Sequence, residues 1–194
     1  FHDPLHALRH CEQLLKDGAH MLDIGGESTR PGSGGVTVEE ELQRVVPVVR
    51  EAVKFNVPIS VDTSKPEVMS AVLDLGADVI NDVWALRRAG TDGGPSATDV
   101  VRAHPACGVC VMHMHGDPLT MQAYPMEGDV VAQVLLFLEQ AAQHLQALGV
   151  HKARICVDPG VGFGKTVAQN FALLARQLEL LQASCKLEQS KLGL

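Results

Sequence analysis

Aromatic side chains are scarce in this sequence, with one tryptophan, one tyrosine and five phenylalanines among 194 residues. A core must therefore be assembled from Val, Leu, Ile and Ala. Long apolar runs are missing too. No stretch approaches the ~18 residues of a membrane span, and no signal peptide opens the chain, so neither membrane insertion nor a membrane partner is expected. Positive charge is in short supply, 16 Lys and Arg against 23 Asp and Glu, for a net charge of −7. That balance argues against a non-specific nucleic-acid binder, although it leaves room for a small anionic ligand held by local dipoles. Five cysteines (Cys11, Cys107, Cys110, Cys156, Cys185) are odd in number and too sparse for a disulfide scaffold, which suits a reducing cytoplasm. What is present, 46% apolar and 20% charged residues, describes an ordinary soluble globular chain of one domain. The sequence starts at Phe1, so the native start is expected to lie upstream.

Helix signals are legible along the chain. Asp3 and Pro4 form a cap and first-turn pair, and Gly18 closes that helix. Thr37 and Glu40 have capping-box spacing ahead of a helix that Pro47 is expected to kink or interrupt. Ser64 with Glu67 repeats the box, with Gly76 as the stop. A weaker helix is predicted over 96–104, a long one over 129–148 closed by Gly149, and a last one over 167–182. Between them lie short apolar runs: HMLDI, VPISV, ADVIN, GVCVMHM and ARICV. They do not strictly alternate, as expected for parallel strands covered on both faces. The alternation of helix and strand predicts right-handed βαβ units and a parallel sheet. The glycine-rich segment 88–98 reads as a surface loop.

Polar chemistry collects where these runs end. Asp23 through Arg30, Asp62 to Lys65, Asn81 and Asp82, His113 to His115, and Asp158 to Lys165 each follow a strand candidate. In (β/α) barrels the site lies on the rim formed by the carboxyl ends of the strands, and open α/β sheets obey a related rule. Five such clusters therefore indicate one shared site. Asp62 and Asp158 are rim carboxylates that could equally cap helices or orient loops. Together with Asn81 they suit a ring bearing adjacent N–H donors and acceptors, such as an aminopyrimidinone.

Several tempting signatures fail on inspection. DPGVGFGKT (158–166) lacks the first glycine of a phosphate-binding loop, because Pro159 stands there, and Lys165 occupies the third glycine of the dinucleotide pattern. A tight loop bringing backbone and Phe163 close to a flat ligand is the better reading. His113 and His115 share strand parity and could bind a metal, but no third ligand is well spaced, and a hydrogen-bonded structural histidine is commoner. Cys107 and Cys110 form a C-x-x-C whose expected role is a pair of buried thiols. The methionines, Met112 among them, read as packing residues, with Met112 near enough to the rim to touch a ligand ring.

DIGGESTRPG, SVDTSKPEV, GADVINDV, VMHMHGDPLTMQ and DPGVGFGKT, in that order, resemble dihydropteroate synthase from Phe1 to about Arg176. The resemblance implies a (β/α)8 TIM barrel of folate biosynthesis. Such an enzyme joins 6-hydroxymethyl-7,8-dihydropterin diphosphate to 4-aminobenzoate, giving 7,8-dihydropteroate and diphosphate. On it, Asp62 and Asp158 would be catalytic. Thr29, Asp62, Asn81, Met112, Asp158 and Gly162 would bind the pterin. Ser28, Thr29, Arg30 and Pro31 would form a lid over the aminobenzoate, with Phe163 beside it, and this is where aminobenzoate-mimicking sulfonamides would act. Loss of diphosphate would leave a cationic pterin methylene for the aromatic amine to attack. The resemblance also implies a cytoplasmic homodimer when full length, and Mg2+ bound by an asparagine placed before Phe1.

The same resemblance assigns this chain only the second to sixth strands of the barrel, one partial domain over 1–194 with a divergent tail over 177–194. The Ser-Arg-Lys strand end and the Arg-x-His diphosphate site of the family do not follow. Two other readings remain at this point: a pterin-binding methyltransferase of the methyltetrahydrofolate type, and a fragment that binds pterin without catalysis.

Overall fold

A computed structural model describes residues 3–29, 34–117, 121 and 126–180. The described elements alternate without exception: α1 (Pro4–Lys16), β1 (Leu22–Gly25), α2 (Val38–Ala52), β2 (Ile59–Asp62), α3 (Pro66–Asp74), β3 (Val79–Asp82), α4 (Ala97–Ala103), β4 (Gly108–Met112), α5 (Val130–Ala147), β5 (Ile155–Asp158) and α6 (Val167–Ala175). The five strands form one sheet in the order β1-β2-β3-β4-β5, every neighbouring pair parallel. That order separates a barrel from a doubly wound sheet. Crossovers of one hand that always advance in one direction put every helix on one face, whereas a doubly wound sheet reverses its order to cover both. The strands are thus an arc of barrel wall, with helices outside.

The core lies between that wall and the helices. Leu22, Ile24, Ile59, Val61, Ile80, Val109 and Val111 from the strands meet Val45, Val49, Val68, Met69 and Val72 of α2 and α3. Fully buried aliphatic side chains of this size each contribute roughly 1.5–3 kcal/mol. The expectation of strands covered on both faces is corrected. β1 alternates buried and exposed residues, and β3 alternates half-buried with buried ones. Asp23 and Gly25 are on the exposed parity of β1, which is the concave side of the arc.

Capping follows the sequence signals with one exception. Asp3, Thr37, Ser96 and Asp129 accept amide hydrogens at the starts of α1, α2, α4 and α5. Ser64 does not cap α3: the N-cap position is Lys65, which makes no side-chain cap. Its supposed partner Glu67 instead accepts from the backbone amide and hydroxyl of Thr91, at 2.6 and 2.7 Å, and so fastens the 88–98 loop. Pro47 does not interrupt α2. Its missing N–H deprives the carbonyl of Gln43, an exposed residue that water can reach, while Val45, Val48, Val49 and Ala52 hold the opposite face in the core. The last helix stops at Ala175 rather than 182, where Arg176 pairs with Asp129 and Glu179. A helical stretch resumes over 177–180, and the rest of the predicted tail lies outside the described residues.

Candidate functional site

The ladder brings the strand ends into register. Gly25 pairs with Asp62, Asp62 with Asn81 and Asn81 with Cys110, while Met112 pairs with Asp158. Asp62 and Asn81 are therefore side by side, and Asp158 stands beyond them on the edge strand β5. One further group joins them. The Asn81 side-chain amide donates to Asp23 Oδ2 at 3.4 Å. Asp23 shares the parity of Gly25, two residues before it, and that parity is the signal which places it on the concave face. Gly25 keeps the approach open, since a Cβ there would sit 3.3 Å from the Cβ of Asp62.

Burial, then the negative charges of Asp23, Asp82, Glu41 and Glu27, push Asp62 up to about 7. The charged form is therefore costly to the folded state above that value. In the unfolded chain Asp62 binds its proton only below about 4. Between those limits the folded state holds more protons, so this group favours folding progressively as pH falls from about 7 towards 4. Asp62→Asn is accordingly expected to stabilise the chain at pH 8; the gain should shrink as pH falls through about 7 and vanish only below about 4. Thermal melts at about pH 8, 6 and 4 check this, and a gain independent of pH would refute it.

Asp82, the neighbour of Asn81, has another task. It is buried, and it accepts from the amides of Trp84 and Leu86 at 2.8 and 2.7 Å. Those bonds shape the turn in which Ala85 and Leu86 take positive φ of 53° and 58°.

Asp158 is held by its own loop, with Oδ1 accepting from the Gly160 amide at 2.7 Å. The loop packs against the exit of β4. A Cβ on Gly160 would lie 1.9 Å from the carbonyl oxygen of His113, and one on Gly164 would lie 2.4 Å from that of His115. Lys165 is the fastener. It is buried and donates to the carbonyls of His113, Gly160 and Phe163 at 3.2, 2.8 and 2.9 Å. Burial lowers it to about 8. The sequence reading singled out Lys165 only as a misplaced phosphate reader; its position, seven residues after Asp158, in a loop that turns back on itself, was the available clue.

His113 is buried, edge-on to Phe137 at 5.0 Å, and burial followed by the Lys165 charge depresses it to about 4. It is a neutral structural group. No group of three or more His, Cys, Asp or Glu among the described residues could hold a metal ion.

Met112, Phe163, Val83, Met114, Met121 and Trp84 form one apolar cluster at the rim. Met112 is almost wholly enclosed in it, and Phe163 is half-buried. Gly162, at φ +91° with no atom near its missing Cβ, donates its amide to Asn170 at 2.8 Å.

Of the four lid residues, Ser28 is exposed, Thr29 is half-buried, and Arg30 and Pro31 lie outside the described residues. The base of that segment is built in detail. Glu27 accepts from the Val36 amide through Oε1 at 3.2 Å and from Lys65 through Oε2, so one carboxylate ties both ends of the loop. Lys65 also bonds Glu41 of α2, which is fully enclosed. Arg44 donates to the Gly26 carbonyl at 2.8 Å. Glu27, Lys65 and Glu41 were absent from the candidate residues, and each sits within or beside a stretch that sequence reading assigned to a cap or a lid.

Cys107 and Cys110 part company. Cys107 is buried and donates to the Gly108 carbonyl at 2.9 Å, but Cys110 is only half-buried and its partner is Cys156. Three residues apart at a strand start, the two thiols fall on opposite faces.

The family model described as pterin binding enzyme matches residues 1–190. The chain belongs to the pterin binding enzyme family. Within it, the chain is 47% identical over 175 residues to the dihydropteroate synthase of Escherichia coli K12, covering 89% of this chain and 59% of that protein. Against the Neisseria meningitidis serogroup C dihydropteroate synthase it is 45% identical over 176 residues, 90% of this chain and 60% of that protein. A Burkholderia cenocepacia dihydropteroate synthase complexed with 7,8-dihydropteroate superposes with a TM-score of 0.83 at 50% identity, covering 91% of this chain and 61% of the other. A Yersinia pestis dihydropteroate synthase with a sulfonamide drug complex gives 0.87 at 40% identity, covering 93% and 64%. The chain thus spans about three fifths of the length of these pterin-binding relatives, and its five-stranded arc is part of their barrel.

Proposed function

We propose that this chain carries the pterin cleft of a dihydropteroate synthase, the enzyme that condenses 6-hydroxymethyl-7,8-dihydropterin diphosphate with 4-aminobenzoate. The observation that carries the reading is the row of Asp62, Asn81 and Asp23 on adjoining strand ends, with Asp158 at the neighbouring edge. Asp158 suits two parallel N–H donors of an aminopyrimidinone ring, and Asn81 both donates and accepts. As the C–O bond to diphosphate breaks, positive charge develops on the pterin methylene. Asp23, and Asp62 in its ionised form, would face that charge, and the developing cation would itself favour ionisation of Asp62. The amine of aminobenzoate then forms the C–N bond and gives up a proton, and diphosphate leaves with the electron pair of the broken bond. Thr29 and its neighbours would close over the amine and exclude water, the competing nucleophile. Met112, Phe163 and Gly162 belong to this reading as the wall against which the two rings lie.

Magnesium enters only as the family's cofactor; the described residues form no cluster that fits it, and no step runs through it. The reading includes a cytoplasmic homodimer, supported by an exposed apolar row on and just after α6, Val167, Phe171, Leu174 and Leu178. No described helix is long and apolar enough to cross a membrane.

Isothermal titration of the chain with a dihydropterin diphosphate analogue tests the proposal, with Asp158→Asn as the comparison. Loss of a charge-assisted hydrogen bond costs about 1.5–3 kcal/mol, so affinity should fall about ten- to a hundredfold. Equal affinity in the two proteins would remove Asp158 from the cleft.

A further inference from the structure

Cys110 of β4 and Cys156 of β5 are direct partners in the parallel ladder. Adjacent strands run about 4.8 Å apart, within the ~4.4–6.8 Å between Cα atoms that a disulfide bridges. The two thiols are near enough to perturb each other's ionisation. Accessibility sets them apart, since Cys11 and Cys107 are buried whereas Cys156 is exposed and Cys110 half-buried. Their side is the concave one, because Cys110 and Cys156 each stand two residues before Met112 and Asp158 on the same strands.

We propose that Cys110 and Cys156 form an oxidisable dithiol in the floor of the cleft, which a hydroperoxide converts to an interstrand disulfide. The neighbouring Cys110 thiol holds the Cys156 thiol down to about 6, while Cys110, beside Cys156 and desolvated, is pushed up. Cys156, the exposed thiol of the pair, is the thiolate, and the half-buried Cys110 is the resolving partner. The Cys156 thiolate attacks one peroxide oxygen, the O–O bond breaks, and the second oxygen leaves as water or alcohol after taking a proton. Cys110 then attacks the sulfur of the sulfenic acid; the S–O bond breaks, and hydroxide departs as water with the Cys110 proton. Two electrons pass from the sulfur pair to the peroxide, and a dithiol reductant restores the starting state. The bridge would draw β4 and β5 together immediately beneath Asp158 and beside Asn81. Its effect on ligand rests on the pterin reading, whereas formation of the bridge does not.

The reduced chain, treated with a small excess of hydrogen peroxide under native conditions and then alkylated, is analysed by intact mass and peptide mapping. The expected result is loss of two hydrogens and a linked pair of peptides carrying Cys110 and Cys156. In Cys110→Ser, dimedone should capture a sulfenic acid on Cys156. Brief native alkylation of the unmodified chain should label Cys156 ahead of Cys11 and Cys107, a check that needs no variant. Earlier pairing through Cys107 or Cys185, or Cys156 alkylating no faster than the buried thiols, overturns the proposal. In a second arm, the oxidised chain should bind a dihydropterin analogue at least tenfold more weakly than the reduced chain. A mapped Cys110–Cys156 bridge in a chain that binds no dihydropterin in either state upholds the dithiol and counts against the pterin reading. Absence of the bridge in a chain that binds dihydropterin does the reverse.

Discussion

Lys65→Met is expected to cost about 3–5 kcal/mol of folding stability, the penalty for stranding buried carboxylates without their cation. The lysine side chain is only 9% exposed, and its two partners Glu41 and Glu27 are 0% and 20% exposed. Glu41 has no second donor, as its Oε1 is buried with no hydrogen-bond partner, so nothing remains to offset its charge once Lys65 is gone. A domain of ordinary stability holds about 5–15 kcal/mol in total, which makes this loss a large share. Methionine keeps the aliphatic stem, so lost packing is a minor part of the effect. Urea unfolding should show a lower midpoint at an unchanged slope. A loss below 1 kcal/mol would mean that water reaches the triad.

Gly160→Ala should be comparably severe, for a different reason. Its φ is +67°, and the added Cβ would meet the His113 carbonyl oxygen at 1.9 Å and the carbonyl carbon at 3.0 Å. Left-handed backbone costs an alanine roughly 1–2 kcal/mol, and forcing atoms into a packed place adds about 1–3 kcal/mol. A total loss of about 2–5 kcal/mol is expected in thermal or chemical unfolding. The displaced backbone is also part of the Lys165 cradle and of the amide that holds Asp158, so affinity for a dihydropterin should fall with it. Gly162→Ala is the control. Gly162 has φ +91° but no atom within 4 Å of its Cβ position, leaving only the conformational cost of roughly 1–2 kcal/mol. Equal losses in the two variants would show that the contact with β4 is not tight.

Much of this architecture was legible because the local rules agree. Caps, glycine stops and short apolar runs predict the described helices and strands in the right order, and the polar residues after each run predict which rim carries the site. Boundaries slipped where two residues competed for one role, as at Ser64, whose capping place Lys65 takes. The neglected residues share one property: their roles are set across the fold, not along the chain. Lys65 reaches Glu41, 24 positions away, and Asn81 reaches Asp23, 58 positions away. Lys165 satisfies a carbonyl on β4 that no spacing rule connects to it. Cys110 looked like half of a C-x-x-C because its neighbour in sequence is conspicuous, whereas its neighbour in space is Cys156. Glu67 shows the converse error, a capping-box spacing spent on Thr91.

The unbroken strand order also governs how the molecule comes apart. The principal contacts join elements of like kind that follow one another in the chain: β1 with β2, β2 with β3, β3 with β4, β4 with β5, and α1 with α2, α2 with α3, α3 with α4 and α5 with α6. Such a wall behaves as a short linear polymer of βα units, its free energy a sum of unit terms and nearest-neighbour couplings. Within such a wall each strand's protection rests on the strands that flank it, so opening of one unit weakens its neighbours first. Asp62 and Asn81 sit on β2 and β3, each flanked on both sides, so that pair is lost only together with its neighbours.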